Sequence, residues 1–241
     1  EEICAAYAHY DLHVVYQKIH YFCSIDLGSF YLDVIKDRQY TTQANSLARR
    51  STQTAMYHIM EAMARWMAPI LSFTADEIWQ YIPGVREESV FLTTWYEGLI
   101  ALSDKETMNR DYWEKIRTVR DVVNKEIERL RGDNVLGSAL EAEVTLYVDA
   151  DLQKKLVVFD DELRFVLITS RATVENIKKA PDDAVHTTLT GLKLKVSASQ
   201  HKKCVRCWHR RAEVGKNAKH PELCERCVTN VDGKGEERRY I

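Results

Sequence analysis

Residues 47–82 read LARRSTQTAMYHIMEAMARWMAPILSFTADEIWQYI. Met56, Ile59, Met60, Met63 and Met67 recur three and four apart, the spacing at which side chains share one face of an α-helix, so the pattern predicts a helix over 47–68. With Trp66 beside it, the methionine stripe reads as core rather than as an adaptable binding face. Pro69 should end or kink the helix near Ala68, because proline removes a helical N–H and clashes with the turn before it. Thr74 and Glu77 form a capping-box pattern for a second, shorter helix carrying Ile78, Trp79 and Ile82, which Pro83-Gly84 stops. This helix–proline–helix unit sets the class as mostly α. Arg49 and Arg50 could meet phosphate at the start of the long helix, but a solvated helix start is the preferred reading.

The same period extends towards the first residue. Ile3, Tyr7, Tyr10 and Val14, then Val15, Ile19 and Phe22, form one helical stripe. After a turn expected near Ser24, a second run carries Leu27, Phe30, Tyr31, Val34 and Ile35. On the other side, Ser103 and Glu106 make a capping box for a long amphipathic helix through Met108, Tyr112, Ile116, Val119, Val123, Ile127 and Leu130, with Gly132 placed to terminate it. The period then changes. Val144–Val148 reads as a strand, and Leu192, Leu194 and Val196 alternate with Lys193 and Lys195 as in a half-buried strand. Leu152–Phe159 reads as a short helix, while Leu163–Thr169 stays open between helix and strand. Three parts are therefore expected: a helical bundle over 1–102, a long helix with a small α+β unit over 103–200, and a cysteine-bearing module over 201–241.

Of 241 residues, 45% are hydrophobic and 29% charged, the mix of a globular domain. No stretch approaches the roughly 20 apolar residues of a membrane span, and no membrane partner is expected. There is no basic-then-apolar leader. Glu1 comes first and helical periodicity is running by Ile3, which suggests a piece of a longer chain. The net charge of −2 is unevenly spread: residues 201–241 hold eleven Lys and Arg against six acids, net +5. A basic end on an acidic body points to contact with a polyanion there, against the plain reading of a solvated lysine-rich terminus.

The last 41 residues have almost no apolar periodicity and cannot bury much core. They hold Cys204, Cys207, Cys224 and Cys227, a C-x2-C pair, a gap of 16 residues and a second C-x2-C pair. Each pair can form a tight turn aiming two thiolates at one point, and two such turns give the tetrahedral four-sulfur shell of a structural Zn2+. Four thiolates leave no open position for activating water, so one structural zinc ion is expected and no catalytic residue. A rubredoxin-like iron site has the same ligands. His201, His209 and His220 are spare donors, expected on the surface, and Cys4 and Cys23 read as small buried hydrophobes. Binding free energies of roughly 10–16 kcal/mol for comparable zinc peptides would decide whether this module folds at all.

With zinc bound the module stays basic. Trp208 follows the first knuckle, with Arg210 and Arg211 close behind, an arrangement that could stack an unpaired base and hold phosphate. Trp208 could equally serve as a cover for the metal site. Arg206 and Arg226 lie inside the knuckles, where structural and nucleic-acid roles are equally open. No phosphate-binding glycine loop, dinucleotide fingerprint or nucleophile elbow occurs.

Arg65-Trp66-Met67-Ala68-Pro69-Ile70-Leu71-Ser72-Phe73-Thr74-Ala75-Asp76-Glu77-Ile78-Trp79 resembles the helix–proline–helix signature of anticodon domains in class Ia aminoacyl-tRNA synthetases. Asp26–Asp33 and Lys36-Asp37-Arg38 resemble the isoleucine branch of that class. The ending Cys204-Val205-Arg206-Cys207-Trp208, Leu223-Cys224-Glu225-Arg226-Cys227 and Gly233-Lys234-Gly235-Glu236 resembles the zinc module that closes its bacterial members. The resemblance covers essentially the whole chain. It implies the C-terminal, anticodon-end tRNA-binding portion of a monomeric cytoplasmic ligase that joins isoleucine to its tRNA with ATP. ATP would belong to a catalytic domain whose histidine and lysine motifs are not in this sequence; His9–His13 reads HYDLH. The editing domain is missing too. In that family the zinc module would close as a basic lid on the anticodon loop, so Trp208, Arg206, Arg210, Arg211 and Arg226 are the candidate tRNA contacts. Two further classes fit the residues less well: a helical protein-interaction scaffold with a zinc hook, and a DNA-glycosylase-like zinc-finger binder, which would need an N-terminal proline where this chain has Glu1.

Overall fold

A computed structural model describes residues 1–241, and they divide into two compact units. The first comprises Glu1–Asp33 and Arg49–Ala101, the second Val34–Ala48 and Leu102–Ile241.

In the first unit, α1 (Glu2–Ala8) and α2 (Leu12–Tyr21) are joined through Tyr10, whose φ of 59° makes the left-handed corner. The turn expected near Ser24 is absent. The backbone stays helical through a π-helical segment, Phe22–Tyr31, into α3 (Leu32–Thr41). The wider turns are visible in the side chains: Ser29 Oγ donates to the carbonyl of Ser24, five residues back, and a Cβ on Gly28 would lie 3.0 Å from the Cys23 carbonyl oxygen. Glycine fits that close approach.

Helix α4 (Leu47–Met67) covers the methionine stripe as expected. Ala64, Ala68, Ala75, Trp79, Ile82 and Val90 form the core of this unit, with Met60 and Met67 packed against it. Past Pro69, α5 (Ser72–Tyr81) starts two residues before Thr74. The Leu71 carbonyl accepts the first helical bond, from Ala75 N, so Thr74 lies inside the helix and the expected capping box does not form. Asp76 instead accepts from Ser89 Oγ at 2.6 Å and Val90 N at 3.2 Å, tying down the segment after α5. Arg65 and Arg86 both lie over the Trp79 ring, at 4.6 and 4.4 Å from its centroid, and both donate to Glu61. The buried Glu61 charge is thereby matched twice.

The second unit is organised on α6 (Arg110–Gly132), whose buried Tyr112, Ile116, Val119, Val123 and Ile127 follow the predicted stripe. Its N-cap is Asn109, which accepts from Tyr112 N at 3.0 Å, and not Ser103. Ser103 caps only an isolated turn, accepting from Lys105 N. The expected strands are β1 (Ala142–Val148) and β4 (Leu192–Ala198), paired antiparallel with Leu146 opposite Leu194. Between them run α7 (Ala150–Leu156), a 3-10 turn over Val157–Glu162, and α8 (Leu163–Leu167), which resolves the open stretch as helix. Two strands escaped the pattern reading: β2 (Arg171–Asn176), parallel to β1, and the short β3 (Val185–His186), giving the order β2-β1-β4-β3. Alternate residues of β1 are fully buried, and helices α6 and α7 both contact the sheet. No helix is long and apolar enough to cross a membrane.

Candidate metal centre and its surroundings

Two backbone devices aim the four cysteines. The first knuckle is a tight turn between two short extended segments that meet in an isolated bridge between Lys203 and Arg210. Cys204 N donates to the His209 carbonyl and Trp208 N to the Cys204 carbonyl, both at 2.9 Å. The second knuckle opens α9 (Glu225–Asp232): Cys224 is its N-cap and Cys227 lies one turn in. A helix N-terminus favours negative charge, so both sulfurs sit where a thiolate is stabilised.

All four Sγ atoms lie within 4.8 Å of one another, and every one of these cysteines is buried. A tetrahedron with Zn–S bonds of about 2.3 Å has sulfurs about 3.8 Å apart; Cys207 and Cys224 Sγ are separated by 3.6 Å. Cys224 N donates to Cys204 Sγ at 3.4 Å, the backbone-to-sulfur bond a thiolate shell needs. Hydrogen bonds from the neighbouring thiols hold the Cys204 thiol far below its ordinary range, and the same crowding holds Cys224 and Cys227 above theirs. Four such sulfurs cannot all ionise together unless a cation shares the charge. Geometry and donor chemistry both fit a four-thiolate zinc shell. Val214 and Leu223 give the only aliphatic cover around it, so the sulfurs themselves form the core of the module.

The surrounding side chains are placed unevenly with respect to solvent. Trp208 is 59% exposed at a φ of 67°, with Lys203 Nζ 5.1 Å from its ring centroid. Arg210 donates to Glu141 at 2.7 Å. Arg211 donates to Glu213 at 3.1 Å and to the Ser170 carbonyl at 3.2 Å. Arg206 donates to the Thr41 carbonyl at 2.6 Å, and Arg226 grips Asp37 with two bonds of 2.7 and 2.8 Å while also donating to Glu236. The four arginines singled out in the sequence are thus all engaged inside the second unit. The charged side chain standing in solvent beside Trp208 is Lys203, with Lys202 also exposed, and a motif reading passes over both because they precede the first cysteine.

Of the three histidines expected on the surface, His209 is a correction: it is only 2% exposed. Arg164, also buried, donates to its Nδ1 at 3.0 Å. A guanidinium can only donate, so that ring nitrogen carries no proton. Burial first, then the Arg164 charge, brings His209 down to about 3 and keeps it neutral. His220 sits 2.6 Å from Asp232, and His201 is solvent-facing.

The module is fastened at several further points that the sequence did not signal. Arg238 donates to Asp37 and Glu236 and lies 3.5 Å from the centroid of Phe165. Glu162 accepts from the backbone N–H groups of Arg239, Tyr240 and Ile241, at 2.7 to 2.8 Å. Asp37 belongs to the Lys36-Asp37-Arg38 stretch, yet nothing in its spacing says that its partners lie near residue 226.

Residues 1–146 match the family model described as the anticodon-binding domain of tRNA ligase, and residues 202–230 match a zinc finger found in FPG and IleRS. The whole chain is 56% identical to an isoleucine–tRNA ligase of Pectobacterium carotovorum over 241 residues, 26% of that relative. It is 54% identical over 243 residues to an isoleucine–tRNA ligase of Alkalilimnicola ehrlichii, again 26% of it. The same name attaches to a Pseudomonas aeruginosa relative, 56% identical over 239 residues and 25% covered. The chain therefore spans about a quarter of the length of the curated relatives it matches.

Proposed function

The chain belongs to the anticodon-binding-domain family of tRNA ligases, and from that premise we propose that it is the C-terminal, tRNA-binding part of a bacterial isoleucine–tRNA ligase. The whole enzyme would join isoleucine to its tRNA at the expense of ATP, in the cytoplasm and as a monomer. This part performs neither adenylate formation nor editing. It holds the anticodon end of the isoleucine tRNA so that acceptor-end chemistry proceeds on the right molecule. The labour divides along the chain: the helices of 1–102 supply a binding platform, the unit over 103–200 a junction, and residues 201–241 a metal-built surface that meets the loop. One Zn2+ is held by Cys204, Cys207, Cys224 and Cys227; when bound, it fixes the two knuckles and takes no part in the reaction.

Trp208 carries the RNA-facing part of this reading. An indole held in solvent at a left-handed backbone position spends strain on an exposed surface, the signature of a side chain kept for contact. Anticodon bases are unpaired, and stacking on an aromatic ring beside cations is how such bases are bound. Lys203, with its ammonium over the Trp208 ring, and Lys202 are better placed for phosphate than Arg226, which two carboxylates hold inside the protein. Arg206, Arg210 and Arg211 act chiefly by shaping the knuckle that presents the tryptophan.

The test is titration of the chain with isoleucine tRNA and with a non-cognate tRNA, before and after zinc removal. Zinc-dependent preference for the isoleucine tRNA is expected. Equal affinity for both tRNAs, unaltered by metal removal, would overturn the assignment of anticodon reading to this part.

A further inference from the structure

We propose that the arginine inside each cysteine knuckle docks one segment, Val34–Ala48, onto the metal centre, so that this segment is ordered only while the metal holds the knuckles. The inference rests on the zinc reading of the four cysteines given above.

Arg206 lies between Cys204 and Cys207, and Arg226 between Cys224 and Cys227. Both guanidinium groups reach the same last turn of α3. Arg206 donates to the carbonyl of Thr41, and its Nη1 also lies 3.9 Å from Cys227 Sγ. Arg226 donates to Thr41 Oγ1 at 2.9 Å and takes both oxygens of Asp37. A cation on the carbonyl end of a helix satisfies an orphan acceptor and opposes the negative end of its dipole. Just past that turn, Gln43 Nε2 donates to the carbonyls of Asn230, at 3.3 Å, and Gly233, at 3.0 Å, at the far end of α9. The segment thus meets both knuckles and the helix that the second knuckle starts.

The ties are polar and directional. Asp37 is mostly buried and its charge is matched by two arginines, Arg226 and Arg238, so the pairing works only when α9 is in place. Helix α9 is eight residues long, below the length at which a helix persists alone in water. A metal on Cys224 and Cys227 would fix its first turn and so bring Arg226 and Asn230 to the segment. Loss of the metal frees both arginines at once, and with them the turn Asp37–Thr41 and the loop into α4.

Coupling between two sites is reciprocal, so a change in the segment must also be felt in metal affinity. Asp37 is 189 residues from Arg226 in sequence and touches no sulfur, which makes it a clean probe. Amide hydrogen exchange is followed on the full chain with zinc bound and after chelation, reading peptides over 34–48, over 202–230 and over β1 and β4. Chelation is expected to speed exchange over 202–230 and over 34–48 together, by about tenfold or more, while β1 and β4 stay protected by their own apolar core. In a second arm, zinc affinity is measured by competition with a chromophoric chelator. Asp37→Asn is expected to weaken zinc binding within the range of about 5- to 150-fold that a site-to-site coupling spans. The milder Gln43→Ala, which leaves the ion pairs intact, should give a smaller weakening together with faster exchange over 34–48. Fast exchange over 202–230 with 34–48 still protected would overturn the docking while leaving the zinc reading intact. Unchanged zinc affinity in both variants would do the same. Chelation that leaves 202–230 itself protected would overturn the zinc reading, and this inference with it.

Discussion

Trp208 and Asp37 are placed oppositely, one standing in solvent and the other enclosed by arginines. At Trp208 a bulky residue holds a φ of 67°, a conformation that costs an L-residue about 1–2 kcal/mol, and the side chain it carries stands mostly in solvent. Trp208→Ala is accordingly expected to weaken tRNA binding by about 1–3 kcal/mol, with the thermal midpoint almost unmoved. Trp208→Gly, which relieves the backbone, should keep or raise the midpoint while losing the same affinity. Parallel melting and tRNA titration check both, and a large drop in midpoint would make the ring a cover for the metal site. Asp37 works inwardly. Burial alone would raise its carboxyl, but Arg226, then Arg238, outweigh that effect, and His209 adds to them, leaving Asp37 at about 2. Glu236, facing the same arginines, is lowered for the same reason. In the unfolded chain an aspartate takes up its proton near pH 3.9. The stabilisation from Asp37 is therefore complete above about pH 4 and lost as pH falls towards 2, a contribution of about 2 kcal/mol. Acid unfolding of wild type against Asp37→Asn should show it: the variant is weaker at neutral pH, and the difference closes below pH 4.

At the scale of single elements, the sequence placed helices well where an apolar stripe ran unbroken and poorly where a local signal competed. Ser103 with Glu106 fits a capping box, but Asn109 caps α6 because the apolar stripe that packs on the sheet begins at Tyr112. Asn109→Ala should cost about 1 kcal/mol, and Ser103→Ala only a few tenths, in denaturant melts of the full chain. The break read near Ser24 is a π-helical stretch, because apolar residues shifted by one position look like a new helix when read at the normal period. Strand β2 escaped because its residues, RATVEN, are half-buried at an edge and carry no alternation. Two residues of β3 are too few to show any period.

Across the whole molecule, metal should act well beyond the cysteines. Cys204→Ser or Cys227→Ser is expected to unfold residues 202–230 and to loosen the strap Arg238–Ile241, which Glu162 can hold only while α9 leads the chain to it. Peptide-resolved hydrogen exchange checks this; a serine variant with an ordered tail would remove zinc from the account. The sheet and α6 should survive, since Val144, Leu146, Leu194, Ile116 and Val123 are each almost fully buried without help from the sulfurs. An isolated zinc ribbon would have unfolded alone. This module instead exchanges ion pairs and hydrogen bonds with Asp37, Glu141, Glu162 and Arg164 within its unit, so its loss spreads along those contacts.

The sequence by itself determined the helical class, the strands β1 and β4, and the four sulfurs of the metal centre. Helical and strand periods, and ligands two residues apart, are local properties that neighbouring residues express without reference to the rest of the chain. Only the tertiary structure decided which charged residues face solvent. Arg206, Arg210, Arg211 and Arg226 look alike in a basic tail, and Lys202 and Lys203 look like its ordinary flank. What separates them is the presence of Asp37, Glu141, Ser170 and Glu236 within hydrogen-bond reach, brought there from up to 189 positions away. Charge pairing depends on distance in space, and a sequence records distance only along the chain.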